Sequence, residues 1–146
     1  MARRAQALDA PAIGALVQSA YGHYVDRIGR PPGPMLADYD LVVATSEVWV
    51  TEDANGLTGC LVLVPHEDHL LLENIAVRPD VQGRGLGSFL LQLADARARE
   101  LGLTQVRLYT HVLMAENRAY YARHGYVETH VSVDDGFRRA HFVRSL

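Results

Sequence analysis

The segment VRPDVQGRGLGSFLL, residues 77–91, places the strongest constraint on what this chain can fold into. A strand-like apolar run ends at Val77, and glycines at 83, 85 and 87 then lead directly into an amphipathic run. Each glycine gives up side-chain contacts and adds unfolded-state entropy, so the fold must need bare backbone there. A helix that begins at about Gly85 has first amides without intrahelical acceptors, at the positive end of its dipole. The segment therefore predicts a strand, a loop and a helix whose loop binds a phosphate or pyrophosphate.

Two other phosphate-binding loops fit these residues less well. The Walker loop requires a lysine, and the chain contains none. The dinucleotide fingerprint requires a glycine where Ser88 stands and an acidic residue about 20 positions later, yet Glu100 falls inside the predicted helix. What remains is a cradle of backbone amides, to which the side chains of Gln82 and Arg84 can add donors.

Composition limits the size and the setting of the protein. Its 146 residues are 49% hydrophobic and 21% charged, which fits a single globular domain over residues 1–146. A formal net charge of -3 argues against nucleic acid and anionic membranes as partners. The single cysteine, Cys60, excludes an internal disulfide, and the first residues lack the apolar core of a signal peptide. No stretch approaches the roughly 20 apolar residues of a membrane span, so we expect a cytoplasmic protein.

Hydrophobic periodicity predicts an α+β arrangement. Apolar residues at helical spacing from Ile13 to Tyr21 predict a first helix, and residues 35–44 predict a second, although DLVVA within it also fits a strand. The runs EVWVTED, LTGCLVLV and HLLLENIAV predict an antiparallel meander. A helix from about Gly85 to Leu101, the strand QVRLYTHV, the helix AENRAYYARH and the strands YVETHVSV and FRRAHFVRSL follow. The predicted order is α-α-β-β-β-α-β-α-β-β.

Two sequence blocks resemble the GNAT superfamily of N-acetyltransferases. IAVRPDVQGRGLGSFLL is similar to its acyl-coenzyme A signature, Gln/Arg-x-x-Gly-x-Gly/Ala, which Gln82, Gly85 and Gly87 meet. ENRAYYARHGYVE is similar to a second block, in which a tyrosine stands four residues before a glycine-aromatic pair, here Tyr121 before Gly125. The resemblance covers nearly the whole chain. It implies the GNAT fold, an α+β (three-layer α/β) architecture with a mixed, mostly antiparallel sheet of six to seven strands flanked by about four helices.

The resemblance also implies acetyl-coenzyme A (acetyl-CoA) as cosubstrate, and no metal. The pantetheine arm would lie along the strand before the loop and bond the backbones of Ile75, Ala76 and Val77. The pyrophosphate would rest on the loop, where the implied binding residues are Gln82, Gly83, Arg84, Gly85, Gly87 and Ser88. Asn117 is a further implied contact, although many family members place that asparagine seven residues before the tyrosine, where this chain has Met114.

The chemistry of acetyl transfer to an amine favours a base and an acid. An alkylamine has a pKa near 10.4, so deprotonating it at pH 7 costs roughly 4 to 5 kcal/mol. Side chains alternate along a strand, so Leu71, Glu73, Ile75 and Val77 should share one face. This pattern predicts Glu73 among apolar neighbours, where desolvation makes a carboxylate a stronger base. The resemblance implies that Glu73 acts through water, that Tyr121 is the general acid for the departing thiolate, and that a strand amide, of Ile75 or Ala76, polarises the thioester.

These assignments have structural alternatives. Tyr121, beside Tyr120, can be a core residue, and Glu73 can be a satisfied structural carboxylate. The resemblance also places His111 near the reaction, at the gap where the glycine-loop strand and the next strand splay apart, yet a histidine at a strand end is more often a surface residue. His66 and His69 lie on a turn without further ligands and are weak evidence for a metal.

The acceptor and the exact function stay open at this point. In the family, the first helices and the last strands shape the acceptor pocket, and these regions hold candidates for an aromatic or acidic wall that are equally explained as loop residues: Tyr21, Tyr24, Asp26, Tyr39, Asp134 and Asp135. The leading function is acetyl-CoA-dependent N-acetyltransfer to a primary amine of a small molecule, peptide or protein. The alternatives are an acyl-CoA-binding or sensing module with little transfer, and a toxin-type acetyltransferase of charged transfer RNA, which the acidic balance disfavours. The resemblance leaves a homodimer open.

Overall fold

The computed structural model describes residues 1–146 and contains seven strands and six α-helices. The strands are β1 (Arg3–Arg4), β2 (Glu47–Asp53), β3 (Gly56–Pro65), β4 (Leu70–Val77), β5 (Gln105–His111), β6 (Val127–Asp134) and β7 (Phe137–Ser145). The helices are α1 (Ala10–Tyr21), α2 (Tyr24–Ile28), α3 (Gly33–Leu36), α4 (Tyr39–Thr45), α5 (Leu86–Glu100) and α6 (Ala115–Arg123). Single 3-10 turns lie at Ala7–Asp9 and Pro79–Val81.

The strands form one sheet in the order β1-β2-β3-β4-β5-β7-β6. Every neighbouring pair is antiparallel except β4 and β5, which run parallel. The mixed, mostly antiparallel sheet confirms the predicted fold. The parallel pair is joined only at Leu70↔Val106 and Leu71↔Arg107, so the two strands separate towards their carboxyl ends. This separation opens a gap in the middle of the sheet.

The region before β2 is more divided than the sequence predicted. The single helix predicted over residues 35–44 is two helices, because Ala37 is extended and Asp38 caps α4 by accepting from the amides of Asp40 and Leu41. DLVVA is therefore helical. β1, α2 and α3 are too short to show a periodic pattern, and the sequence analysis did not predict them.

The core has one half on each face of the sheet. One half packs α1 and α4 against the sheet and includes Ile13, Val17 and Ala76. The other half packs α5 against the opposite face and includes Leu72 and Leu90. β4 contributes to both halves, so the same strand carries residues to each layer of helices.

A β-bulge at Glu73 interrupts the alternation of side chains along β4, and it corrects the predicted faces. Val62 pairs with Asn74 and Leu63 pairs with Leu72, which leaves Glu73 without a partner on β3. Because the extra residue resets the alternation, Leu72 joins Ile75 and Val77 in the α5 half of the core, whereas Asn74 bonds to a side chain of α1. The predicted face of Leu71, Glu73, Ile75 and Val77 is therefore wrong.

A half-buried ion pair joins α5 to β2. Arg97 donates to both carboxylate oxygens of Glu47, from Nε at 2.7 Å and from Nη2 at 2.9 Å, and Trp49 Nε1 donates to the same carboxylate at 2.8 Å. The Arg97 guanidinium holds the pKa of the Glu47 carboxyl below its ordinary value, against the opposing effect of burial.

None of the helices combines the length and the apolar character that crossing a membrane requires.

We expect Glu47→Gln to lower the free energy of unfolding by roughly 2 kcal/mol at pH 7, because the half-buried Arg97 then keeps only the exposed Glu100 as a charged partner. Because the folded-state pKa of Glu47 lies below its unfolded value, the stability is present above the ordinary pKa of 4.5 and is lost as the pH falls through the folded-state pKa. Urea denaturation at pH values from 7 to about 3 measures this loss. The difference in the free energy of unfolding between variant and wild type should become smaller as the pH falls. Glu100→Gln removes the exposed partner of Arg97 and is the control. A difference in the free energy of unfolding that persists at low pH would show that the effect does not come from the Glu47–Arg97 ion pair.

Candidate active site

The glycine loop forms one wall of a cleft of about 650 Å³ beside the open edge of β4. The end of α1 and the side of α6 form the other walls. Its lining residues are Ala20, Tyr21, His23, Tyr24, Ile75, Ala76, Val77, Val81, Gln82, Gly83, Gly85, Leu86, Gly87, Ser88, Glu116, Asn117, Tyr120, Tyr121 and Arg123. The predicted cofactor residues thus lie together along one cleft, with the exception of Arg84, which is exposed and does not line it.

The loop presents its backbone amides without protein acceptors. The first intrahelical bond of α5 runs from Phe89 N to Gly85 O at 3.0 Å, and the amides of residues 83–88 donate to no backbone or side-chain acceptor. Gly83 and Gly85 have φ of 80° and 84°, and a Cβ at either would meet nothing within 4 Å. Unpaired amides in open space at a helix N-terminus fit an anionic group such as a pyrophosphate.

Gly87 has a different reason to be glycine. A Cβ built on it would lie 2.5 Å from the Tyr120 hydroxyl, so the absent side chain makes room for the tyrosine of α6. The sequence analysis explained all three loop glycines by the need to bind an anion. For the left-handed Gly83 and Gly85 that role stays a prediction, whereas Gly87 lets α5 and α6 approach closely.

The side chains of the loop hold it in place. Gln82 Nε2 donates to Val77 O at 3.1 Å, which ties the loop back to the end of β4. His124 Nδ1 lies 2.8 Å from Tyr120 O, a carbonyl that only accepts, so this nitrogen carries the proton. In the neutral ring Nε2 is then the acceptor, and the Ser88 hydroxyl donates to it at 2.8 Å. Gln82 and Ser88 therefore shape the cradle that the amides form.

The backbone of β4 faces the gap at alternate residues. Ile75 O accepts from the Tyr21 hydroxyl at 2.8 Å and Val77 O accepts from Gln82, while Arg78 N donates to Thr58 O of the neighbouring strand. The backbone N–H and C=O groups alternate in direction along a strand. The backbone groups of Ile75 and Val77 therefore point into the gap, and those of Ala76 point towards β3. The predicted backbone contact of Ala76 with a cofactor is therefore corrected. Ala76 lines the cleft with its side chain.

A second cavity of about 240 Å³ lies behind the cleft, on the α3 and α4 side. Its lining residues are Tyr21, Pro32, Gly33, Pro34, Ala37, Tyr39, Val42, Val62, Leu72, Glu73, Asn74, Ile75, Leu108, Tyr109, Thr110, His111, Met114, Asn117, Tyr121, Phe137 and Arg139. Tyr21, Ile75, Asn117 and Tyr121 line both cavities. The two spaces therefore meet at the gap between β4 and β5.

Tyr121 lies at this meeting point. Its ring packs against Tyr120, Tyr126 and Phe142, with centroids 5.8 to 6.0 Å apart, and 6% of the residue is exposed. Its hydroxyl has no hydrogen-bond partner in the protein, and the residue lines both cavities. Burial, with smaller contributions from Tyr120 and Tyr24, raises the pKa of Tyr121 above its ordinary value of 10.0. The phenol therefore keeps its proton at neutral pH and can donate it.

Glu73 lines the smaller cavity but is exposed. The bulge turns it out of the apolar surroundings that the sequence predicted, so the expectation of strong desolvation is wrong. Its position in the cavity still allows it to take a proton through water. The catalytic role of Glu73 stays a prediction.

Sequence reasoning missed a buried polar network in the cavity wall. Asn74 Nδ2 donates to the Tyr39 hydroxyl at 3.1 Å, and that hydroxyl donates to Pro34 O at 2.6 Å. The Tyr21 hydroxyl lies 3.0 Å from Asn74 Oδ1. The signal in the sequence was a single amide, Asn74, inside an apolar strand. The network fixes α1 and α4 to β4 at the gap.

The other candidates have smaller roles. Leu113 N donates to His111 Nδ1 at 3.1 Å, and burial, Arg30 and Arg139 lower the pKa of His111, so the ring is neutral at pH 7. Tyr24 lines the cleft, but the candidate aspartates line neither cavity: Asp26, Asp134 and Asp135. Of the two explanations that the sequence left open for these aspartates, the structure favours exposed surface residues over an acidic wall.

The remaining titratable candidates form no metal site. Burial raises the pKa of the Cys60 thiol to about 12. The rings of His66 and His69 stack with centroids 4.6 Å apart. The structure holds no group of three or more His, Cys, Asp or Glu side chains that could bind a metal.

Residues 44–128, more than half of the chain, match the family described as the acetyltransferase (GNAT) domain. The chain belongs to the GNAT acetyltransferase family. The match contains the whole glycine loop and the Tyr121 block, two of the segments that line the cleft.

Two curated GNAT relatives align with part of the chain. A mycothiol acetyltransferase of Jonesia denitrificans is 28% identical over 117 residues, 70% of this chain and 37% of the relative. An amino-acid acetyltransferase of Ralstonia nicotianae is 36% identical over 88 residues, 59% of this chain and 18% of the relative. The chain thus spans well under half the length of the curated relatives it matches.

Solved structures share the GNAT fold over the full chain. The PaiA N-acetyltransferase of Thermoplasma acidophilum, in complex with coenzyme A, superposes with a TM-score of 0.83 at 13% identity and covers 100% of this chain and 98% of its own. A GNAT acetyltransferase of Elizabethkingia anophelis with acetyl-CoA bound has a TM-score of 0.75 at 17% identity, over 100% and 97%. At these identities the similarity shows the fold alone.

One position departs from the usual GNAT pattern. Met114, where many members carry asparagine, is 3% exposed, and its Sδ accepts from Thr110 Oγ1 at 3.3 Å and from Asn117 Nδ2 at 3.5 Å. Asn117 lies where the two cavities meet. Its contact with a cofactor stays a prediction.

Proposed function

We propose that this chain transfers an acetyl group directly from acetyl-CoA to the primary amine of a small molecule or peptide. One observation carries the proposal: a cleft that begins at a cradle of unpaired amides ends at the unpartnered hydroxyl of Tyr121, where a second, smaller cavity opens. An anionic carrier and an acceptor can therefore approach one proton donor from two sides. Membership of the GNAT family supports this assignment.

Each part of the site has a task in this reaction. The amides of residues 83–88 bind the pyrophosphate, and the backbone groups of Ile75 and Val77 pair with the pantetheine arm as an added strand. Acetyl-CoA supplies the acetyl group as a thioester. The Ile75 amide faces the gap and polarises the carbonyl there. Asn117, at the junction, contacts the carrier.

Proton transfer accompanies the exchange of bonds. A C–N bond forms between the amine and the acetyl carbon as the C–S bond breaks, and Tyr121 gives its proton to the departing sulfur. Glu73 accepts the proton that the amine loses, through a water molecule, and passes it to solvent. Solvent then returns a proton to Tyr121, so the protein ends each turnover unchanged.

We expect Glu73→Gln to lower turnover by about tenfold or more, less than the roughly 100-fold or more typical of a general base, because the carboxylate is exposed. The loss should be largest at low pH, where the fraction of neutral amine is smallest. The measurement is a pH–rate profile beside that of Glu67→Gln, which removes an exposed carboxylate from the turn before β4. A pH–rate profile like that of the wild type would show that Glu73 is structural.

The test of the function is release of coenzyme A thiol from acetyl-CoA by the purified protein across a panel of amines. The panel should contain amino acids, polyamines, aminoglycosides, aminothiols and peptide N-termini. Acetylation of any class, confirmed by the mass of the product, supports the proposal. Silence with tight binding of acetyl-CoA would assign the chain as a binding module, and silence without binding would refute the amide cradle as well. The cytoplasmic location predicted from the sequence stays a prediction.

A further inference from the structure

Arg139 is the only arginine that lines the smaller cavity. It extends from β7, with 20% of its side chain exposed, and its guanidinium lies 4.6 Å from the ring centroid of Tyr109 and 5.5 Å from that of Phe137. Its Nη2 reaches the opposite wall, 3.5 Å from where a Cβ of Gly33 would lie. Aromatic faces hold the guanidinium plane, which leaves its N–H edges free to donate.

Those N–H groups have no acceptor in the protein. The nearest carboxylate oxygen, Asp134 Oδ2, is 3.8 Å from Nη1, too far for a hydrogen bond, and it already accepts from the Ser132 hydroxyl at 2.7 Å. By contrast, Arg97 and Arg144, which are similarly shielded, each donate to a carboxylate at 2.9 Å or less. A half-buried guanidinium that lines a cavity, with only the long ion pair to Asp134 and no hydrogen-bond acceptor, indicates a hydrogen-bonded anionic partner outside the chain.

We propose that the acceptor is a small primary amine that also carries a carboxylate, an amino-acid-like molecule, and that Arg139 binds this carboxylate. The inference rests on the proposed function, because it names the acceptor class of that same site. The fork of a guanidinium matches a carboxylate through two parallel N–H···O bonds. The amine then lies towards Glu73 and Tyr121, which line the same cavity.

The charges and size of the cavity support this acceptor. Its charged residues at neutral pH are one carboxylate, Glu73, and one guanidinium, Arg139, since His111 is neutral. Both charges act on Tyr109: burial raises the pKa of that phenol, Arg139 lowers it and Glu73 raises it. A cavity with one positive and one negative group suits a molecule with both. Its volume of about 240 Å³ lies below the roughly 300 to 1,000 Å³ of sites for drug-sized ligands, which favours a small metabolite.

The test compares amino acids with their decarboxylated amines. The pairs are phenylalanine with phenethylamine, leucine with isopentylamine and lysine with cadaverine. For a pair that is acetylated, we expect wild-type kcat/KM to be about tenfold or more higher with the carboxylate present. Arg139→Gln should remove this advantage, so that kcat/KM becomes about equal for the two members of the pair. Arg139→Lys, which keeps the charge without the fork, should lie between.

Arg138→Gln is the matched control. It removes the same charge from the adjacent residue, which is exposed and does not line the cavity, so the preference should remain. A thermal melt of each variant checks that loss of the aromatic contacts has not unfolded the protein. Equal use of both members of each pair by the wild type would overturn the inference while leaving the proposed acetyl transfer in place.

A binding measurement separates the two proposals if no amine is acetylated. Saturation-transfer NMR with coenzyme A present can follow the same amino acids and amines on wild type, Arg139→Gln and Arg138→Gln. Binding of the amino acids that depends on Arg139 supports the carboxylate site although the acetyl transfer has failed. Equal binding of both members, binding that Arg139→Gln does not change, or no binding at all overturns the inference.

Discussion

Gly85→Glu is expected to weaken coenzyme A binding by about 100-fold or more. Gly85 has φ of 84°, which a side chain rarely adopts, and it lies among the unpaired amides of residues 83–88. A glutamate there strains the turn and places a carboxylate where the pyrophosphate is expected to bind. Isothermal titration with coenzyme A measures the loss.

The matched control is Gly102→Glu. Gly102 has φ of 74° and equally open surroundings, but it follows the opposite end of α5. It therefore introduces the same charge and a similar strain away from the cleft, and binding should persist. Asparagine tolerates this backbone conformation and carries no charge, so Gly85→Asn should weaken binding only partly. Wild-type affinity in Gly85→Glu would show that the cradle is not the binding site.

Tyr121→Phe should lower turnover by about 100-fold or more while leaving the affinity for acetyl-CoA nearly unchanged. The hydroxyl has no protein partner, so its loss breaks no hydrogen bond, and we expect the melting temperature to stay the same. Because burial raises the pKa of Tyr121, the phenol stays protonated as the pH rises towards 10.0, its ordinary value. The rate should therefore rise with pH as the amine loses its proton. Deprotonation of Tyr121 should cause no fall in the rate below pH 10.0.

Tyr126→Phe is the control for this experiment. The Tyr126 ring packs 5.8 Å from that of Tyr121, and its buried hydroxyl also lacks a partner, but it lines neither cavity. Its removal should leave turnover unchanged and stability equal or higher. If Tyr121→Phe keeps full turnover on the preferred amine, the proton for the thiolate comes from another group or from water.

Most of the elements could be predicted because their signals are local. The strands from β2 onward and the helices α5 and α6 agree with the prediction to within a residue or so at their ends, since alternation, helical periodicity and flanking glycines mark them. The short helices α2 and α3 could not be predicted, because four or five residues carry no periodicity. Tyr121 and the glycine loop were found through sequence blocks, and the structure brings them into one cleft.

The errors come from contacts between strands. The face of Glu73 depends on a bulge, and the direction of the Ala76 amide depends on its register with β3; neither is encoded in the periodicity of β4 alone. Arg139 and Asn74 were missed because their surroundings form only in the folded chain. Arg139 becomes notable only when the folded chain leaves it without an acceptor, and Asn74 only when α1 and α4 bring tyrosines to it.

The bulge at Glu73 places this residue outside the ladder that β4 forms with β3. Leu72 and Asn74 pair with consecutive residues of β3, Leu63 and Val62, and they already face opposite layers of helices. A chain without residue 73 would therefore lose the bulge and the proposed base, but every later residue of β4 would keep its partner and its face. The register of the sheet thus does not depend on residue 73. Its side chain can be chosen for the chemistry of the cavity that it lines, because it has no part in the pairing of the strands.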